Sequence, residues 1–444
     1  MGGNWDIVPN LSRHRPKNSL EIFLSFLFGA WQVRHWWGGL CNSNHATSVQ
    51  KLVGLRQSDQ FTTRMMACYI LAVVMLDSLS IAHTTLRNSL VRKGFVKMTA
   101  AATPLSINAT GHSQKFVAYW LFGMASLVAI MVVIGGVTRL TGSGLSMVEW
   151  RPLMGILPPL NAAEWQRVFD LYRASPEYEQ FNHGMDLGGF KTIFFWEYFH
   201  RLWGRLLGLA FGLPFLFLLV TRRIPFGYNR RLTTLLLLGG FQGVIGWWMV
   251  KSGLSEDAAV SQYRLAVHLG TALVIFSLLI WTALDLLYQP SRRPRGHTIG
   301  SLMLIAITIL AGALVAGMDA GLLYNEYPLM GAGLVPIEYG EAGYLDAFEN
   351  PASAQFHHRW IAALTFGAVF ALGIRARRGG YKVLGGAVIG TVTLQFLLGI
   401  ATLLHGVPVT LGGMHQAGAV ILLGTTLALA HAQYRGQDDG QHLG

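Results

Sequence analysis

Cysteine is nearly missing from this chain: among 444 residues only Cys41 and Cys68 carry a thiol, and both precede residue 100. The hydrophobic body that follows has no thiol for a disulfide, a thiolate-ligated metal or an iron–sulfur cluster, so redox chemistry there needs imidazole ligands. Charge is scarce as well, at 13% of residues against 52% hydrophobic, with a mean hydropathy of +0.41. Acids are the scarcer sign, which leaves a net charge of +12. Lys and Arg gather in short clusters between apolar runs instead of along one amphipathic face, which argues against nucleic acid as a partner and for orientation in a membrane.

What is present is a series of apolar runs near 20 residues long. They predict membrane helices near 116–138, 197–220, 232–251, 262–287, 299–318, 356–375, 382–404 and 413–432, here numbered one to eight. Basic residues mark the loops after helix two (Arg222, Arg223, Arg230, Arg231), helix four (Arg292, Arg293, Arg295) and helix six (Arg375, Arg377, Arg378, Lys382). By the positive-inside rule those loops are cytoplasmic, or matrix-facing in a mitochondrion, and so are both termini of the eight-helix body. The loop from Asp319 to Ala354 has six acids and no Lys or Arg. It belongs on the opposite side, together with the long loop between helices one and two.

Residues 1–97 carry eleven Lys/Arg and four Asp/Glu, with apolar stretches too short to span. They read as a mitochondrial transit segment or, preferably, as an upstream extension of a bacterial reading frame in which Met98 is a start. The body then divides into a first unit at 98–290, a second at 291–433 and a short polar tail at 434–444.

The two units match each other in order. Pro-Leu-Met-Gly occurs at 152–155 and again at 328–331; Glu197-Tyr198-Phe199-His200-Arg201 answers Gln355-Phe356-His357-His358-Arg359; Gln242 and Gly246 answer Gln395 and Gly399; His268-Leu-Gly-Thr-Ala answers His415-Gln-Ala-Gly-Ala. This reads as an internal duplication of parallel orientation. The fold class expected is an all-α integral membrane protein, with eight transmembrane helices arranged as two parallel four-helix-bundle repeats.

Each of His200, His268, His358 and His415 opens an even-numbered helix, so all four lie at similar depth toward the non-cytoplasmic side. A single histidine in a membrane helix is more often hydrogen-bonded packing, the reading given to His83, His183, His405 and His431. Two pairs in register point to a site, because ionisable groups in a bilayer are costly. Facing imidazoles in a four-helix bundle suit axial ligation of heme iron, with Gly-rich walls for the macrocycle, whereas zinc more typically wants three or four clustered ligands. His357 is the alternative to His358, which the register with His200 and the following Arg favours.

Three residues before its histidine the first unit has Glu197 and the second Gln355, on the face shared with the ligand. A carboxylate beside a porphyrin accepts protons, orients water or stabilises developing positive charge, and Gln keeps the shape without the proton chemistry. The plain alternative for Glu197 is a pair with Arg201 or Arg205. Arg201 and Arg359 are candidates for heme propionates and, equally, for anchoring at the interface.

The stretches Gly135-Gly-Val-Thr-Arg-Leu-Thr-Gly-Ser-Gly-Leu-Ser, Trp196-Glu-Tyr-Phe-His-Arg-Leu-Trp-Gly-Arg, Gln242-Gly-Val-Ile-Gly-Trp-Trp-Met-Val and Gln355-Phe-His-His-Arg-Trp closely resemble the heme A synthase family, in its cysteine-free branch of alphaproteobacteria and mitochondria. The likeness runs from about 115 to 433. It implies oxidation of a ring methyl of heme O to a formyl group, giving heme A for cytochrome c oxidase. It further implies substrate heme between His200 and His268, with Glu197 catalytic, and a cofactor heme b iron between His358 and His415. A bacterial inner membrane is the implied location, with the mitochondrial inner membrane as the alternative. Candidate partners are membrane lipid, heme O synthase, oxidase assembly factors, an electron carrier of unassigned identity and a second copy of the chain as a homo-oligomer. The competing readings are a di-heme cytochrome b-type electron-transfer protein, which gives no reason for a carboxylate in one half only, and a parallel-repeat transporter, which favours broken helices and midplane ligands.

Overall fold

The computed structural model describes residues 107–149, 157–254, 258–288 and 296–435. Residues 1–97 with Met98, His83 and both cysteines, the first Pro-Leu-Met-Gly, the basic residues at 292–295 and the end of the tail from 436 lie outside the described residues. Eight helices are long and apolar enough to cross a membrane: helix one Ile107–Leu140, two Leu187–Val220, three Asn229–Gly253, four Gln262–Leu287, five Gly296–Gly317, six Pro351–Arg378, seven Lys382–Leu404 and eight Val409–Arg435. No β-strand occurs among the described residues. The protein is an all-α integral membrane protein.

These segments are apolar all round, the mark of a helix in lipid. On helix two the outward residues Leu206, Leu209, Leu213, Leu216 and Val220 recur every three or four positions, and each is exposed. Their backbone groups are satisfied within the helix, as hydrocarbon requires.

Helix one packs against helices two and four, and helix three against the same two, closing a four-membered ring. Helices five, six, seven and eight close a second ring in the same way. The rings meet where helix one touches helix eight and helix four touches helices five and eight. The main apolar cluster, with Val117 and Leu121 of helix one, Phe211 and Phe215 of helix two, Leu279 of helix four, Leu372 of helix six and Leu429 of helix eight, fills the end away from the long loops. His200, His268, His358 and His415 lie nearer the end that carries those loops.

Six of the eight helices begin earlier than hydropathy indicates, helices one, two and six by nine, ten and five residues. Helix two starts at Leu187, N-capped by Asp186, because its first turns bury Phe190, Ile193 and Phe194 under two short loop helices, Ala162–Arg173 and Pro176–Phe181. Tyr172 stacks on Phe190 with ring centroids 5.1 Å apart. His200 is therefore well inside its helix instead of opening it. Helix six starts at Asn350–Pro351, where the Asn350 side chain accepts from the amides of Ala352 and Ser353.

Candidate functional site

His200, His268, His358 and His415 occupy helices two, four, six and eight, and each is half-buried. His268 lies near enough to His200 for their ring charges to interact, and His358 stands in the same relation to His415. Among the described residues no group of three or more His, Cys, Asp or Glu could hold a metal ion, so the available donors come in pairs.

Every ring rests on a glycine of the preceding odd-numbered helix. A Cβ added at Gly246 would stand 3.0 Å from Cε1 of His268, one at Gly312 3.0 Å from Cε1 of His358, and one at Gly399 2.9 Å from Cε1 of His415. Gly135 takes His200 differently, because there the added Cβ would meet Nε2 at 3.2 Å. The neighbouring Gly136 is small for another reason: the Gln416 side chain of helix eight occupies the space of its Cβ.

Two rings also lie near a main-chain carbonyl one turn before the glycine: Thr308 for His358 and Gln395 for His415. Nδ1 of His358 is buried without a hydrogen-bond partner among the described residues. Side-chain amides approach His268 and His415, with Nε2 of Gln242 3.1 Å from Nδ1 of His268 and Nε2 of Gln395 3.1 Å from Nδ1 of His415. His357 points elsewhere: its Nε2 lies 3.2 Å from the Tyr339 hydroxyl in the long loop, and its ring packs on Tyr339 and Phe356.

Glu197 is buried, and three donors converge on it. The Ser146 hydroxyl donates to Oε2 at 2.7 Å, the Met147 amide donates to the same oxygen at 2.6 Å, and Arg201 pairs with Oε1. Arg201 also donates to the carbonyl of Met147 at 2.9 Å. Glu197 thus has the Arg201 partner that i,i+4 spacing allows, and in addition it ties helix two to the end of the Gly135–Ser146 motif. Ser146 and Met147 were not visible as site residues in the sequence; the one signal was that Ser146 closes the motif.

In the second ring the position of the carboxylate works with opposite polarity, while the arginine again donates to loop carbonyls. Gln355 donates from Nε2 to the carbonyl of Tyr324 at 3.0 Å, and Arg359 donates to the carbonyls of Tyr324, Glu326 and Leu329 at 2.7, 2.9 and 3.0 Å. Both arginines clamp a long loop onto the helix that bears the adjacent histidine. Arg359 Nε and Gln355 Oε1 are buried with no partner among the described residues.

Beside Glu197 a cavity of about 340 Å³ opens between the first long loop and helix two, lined by Ser146, Met147, Leu157, Leu160, Phe194 and Arg201 among others. Below the same loop the Glu177 carboxyl is buried against Tyr172. Loss of water there raises its pKa to about 7, with the nearby Glu197 charge adding to the rise. His431 is buried and its Nε2 lies 2.9 Å from Asp285, which also pairs with Arg231. His405 caps helix seven with Nδ1 2.8 Å from the Ala401 carbonyl, and His183 packs near Tyr178. These three side chains are engaged in packing and pairing away from the two ligand pairs.

The sequence model of a family described as cytochrome oxidase assembly protein matches residues 118–427. A protein named heme A synthase from Granulibacter bethesdensis is 49% identical over 344 residues, covering 75% of this chain and 90% of the relative. Proteins of the same name from a Caulobacter species and from Paracoccus denitrificans are 47% and 46% identical over 325 and 334 residues, each covering 71% of this chain and 95% and 87% of the relative respectively.

Proposed function

The chain belongs to the cytochrome oxidase assembly protein family, and from that premise we propose that it is a membrane enzyme with heme A synthase activity, oxidising a ring methyl of heme O to a formyl group. The observation that carries the reading is a paired His200 and His268 with a buried, triply hydrogen-bonded Glu197 on the same helix, against a paired His358 and His415 with Gln355 in its place. Residues 98–290 form the substrate unit and 291–433 the cofactor unit.

The residues suit a heme in each unit. Four imidazoles stand on glycines with no Cβ to displace them, and the unpartnered Nε of Arg359 is a buried polar atom of the kind a bound group satisfies. His358 and His415 would hold heme b, and Arg359 would take a propionate. When bound, that heme supplies one-electron transfer. His200 and His268 orient the substrate, heme O, and Arg201 stands at its edge as the corresponding propionate candidate. Glu197 accepts a proton released at the ring methyl or holds the attacking water, and Arg201, Ser146 and Met147 fix the carboxylate in one direction. The long loops close the bundle end and keep bulk water from the pairs.

The test is co-expression with a heme O synthase followed by chromatography of the extracted pigments. Wild-type protein yields hydroxylated or formyl heme, and Glu197→Gln retains bound heme but yields none. Ser146→Ala, which removes one loop anchor and keeps the carboxylate, retains measurable product. Product from Glu197→Gln removes the carboxylate from the mechanism, and absence of oxidised heme from the wild type leaves electron transfer as the function.

A further inference from the structure

None of the four ligand histidines lines the cavity beside Glu197. One wall is a face of the loop helix Ala162–Arg173, with Glu164, Val168 and Leu171 at helical spacing, and the other is Phe194 and Arg201 of helix two. Its charges are largely spent on each other. Arg167 holds Glu149 at 3.1 and 3.2 Å and Glu164 at 2.7 and 3.0 Å, while Arg201 is taken by Glu197 and the Met147 carbonyl. Walls that are polar but already paired suit water better than a charged solute. At roughly 30 Å³ each, about ten water molecules fit in the 340 Å³.

Ser146 forms the inner end. It is buried, yet it lines the cavity and donates to Oε2 of Glu197 at 2.7 Å. A hydroxyl has one hydrogen and two acceptor sites. With its hydrogen on Glu197, the Ser146 oxygen can accept from water in the cavity.

The second ring departs from this arrangement at the matching position. Counted from the ring seats Gly135 and Gly312, Met147 falls on Tyr324, and each of those carbonyls accepts from the arginine that follows the ligand histidine, at 2.9 and 2.7 Å. That agreement fixes the register, and in it Ser146 falls on Leu323. One ring thus joins a carboxylate to a hydroxyl, where the other has an amide and a leucine.

We infer that the cavity is a water chamber opening on the side of the long loops, and that Ser146 connects it to Glu197. A proton on Glu197 passes to the Ser146 oxygen as the Ser146 hydrogen passes to water. The serine is unchanged, the carboxylate is restored and the water carries one proton away. The chamber stands on the geometry alone; the proton traffic rests on the reading of Glu197 as the catalytic carboxylate.

The experiment uses the full chain in lipid nanodiscs with Cys41→Ser and Cys68→Ser, which removes both native thiols. A single introduced cysteine then reports water access through its reaction with a charged, membrane-impermeant methanethiosulfonate. Val168→Cys on the wall and Ser146→Cys at the inner end should react at least about tenfold faster than Ala118→Cys, which is fully buried in helix one. Adding Leu171→Trp, or the milder plug Leu171→Phe, should protect Ser146→Cys. Product formation gives the second readout. Ser146→Ala should lower oxidised heme per bound heme about tenfold and enlarge the solvent deuterium isotope effect, and Ser146→Thr should restore both. Leu171→Trp leaves the bond from Ser146 to Glu197 in place and should lower product too, which a serine that only anchors the loop does not explain. Ser146→Cys reacting no faster than Ala118→Cys overturns the inference, and so does unchanged product in both Ser146→Ala and Leu171→Trp. If the cysteines react as stated while wild-type protein forms no oxidised heme, the water chamber stands and the proposed activity falls.

Discussion

Replacing Gly399 with alanine separates the heme site from the stability of the helix that carries it. Two effects oppose each other. Ala gains about 1 kcal/mol over Gly in a helix interior, while a Cβ here would lie 2.9 Å from Cε1 and 3.4 Å from Nδ1 of His415. Carbon atoms settle at roughly 3.5–4.0 Å, so the ring must retreat by about half an ångström or more, and overpacking of that size costs about 1–3 kcal/mol. Folding stability therefore changes little. The ligand does not escape as lightly, because a site tolerates only about 0.5 Å of error in its donors. Gly399→Ala should lose about nine-tenths of the low-spin heme absorbance per polypeptide, at a melting temperature near that of wild type. Gly390→Ala, on the same helix with no atom within 4 Å of the added Cβ, should keep its heme and melt no lower. Gly246→Ala, 3.0 Å from His268, should keep the low-spin heme and lose product formation. Undiminished heme in Gly399→Ala would refute the assignment of His415 as a ligand seated on that glycine.

Two further predictions concern groups away from the histidines. Burial raises the Glu177 pKa from the ordinary 4.5 to about 7. The folded protein thus holds a proton that the unfolded chain gives up, and on the order of 3 kcal/mol of stability is lost as pH rises through that window; Glu177→Gln should abolish the dependence, and thermal unfolding at pH 5 and pH 8 with the wild-type slope retained in the variant would contradict this. Asp285 pairs with buried His431 and half-exposed Arg231 across helices four, eight and three. Asp285→Ala should cost about 3 kcal/mol by stranding the imidazole while leaving the heme spectrum intact, and a loss of heme without a fall in melting temperature would assign the residue to the site instead.

All eight spans were legible as apolar runs, and the start of helix two moved for a reason hydropathy does not carry. The turns from Leu187 to Phe195 are held as helix by aromatic packing against loop helices, with Tyr172 and Phe190 brought together from 18 positions apart. The ligand candidates were legible because register between the halves picked four histidines from fifteen, and register likewise separated His358 from His357, which turns to Tyr339. Gly246 and Gly399 were visible as landmarks, but their role as seats for the rings depends on which helix lies alongside. The anchoring of Glu197 by Ser146 and Met147 was hidden because a loop folds back across 50 positions. For the same reason the partner of His431 could not be named, since Asp285 is 146 residues away.

The Glu197/Gln355 difference is one part of a wider asymmetry in how ready each site is to bind. In the second ring His358 and His415 both present Cε1 to their glycines, and each lies near a main-chain carbonyl one turn earlier. The hydrogen bonds of Arg359 go to backbone carbonyls and leave a buried Nε over. In the first ring the Nε2 edge of His200 is turned against Gly135, the amide of Gln242 is tied to the His268 carbonyl, and Arg201 is paired with Glu197. A site whose donors already point the right way binds more tightly because ordering costs less on association. A heme that stays gains from such a site, whereas a substrate that must enter and leave as a different molecule gains from one that has to rearrange to hold it. On this reasoning the carboxylate lies in the first ring because that ring exchanges its occupant, and Gln355→Glu alone should leave the second heme in place without making it a substrate, which oxidised heme recovered from a Gln355→Glu, Glu197→Gln chain would refute.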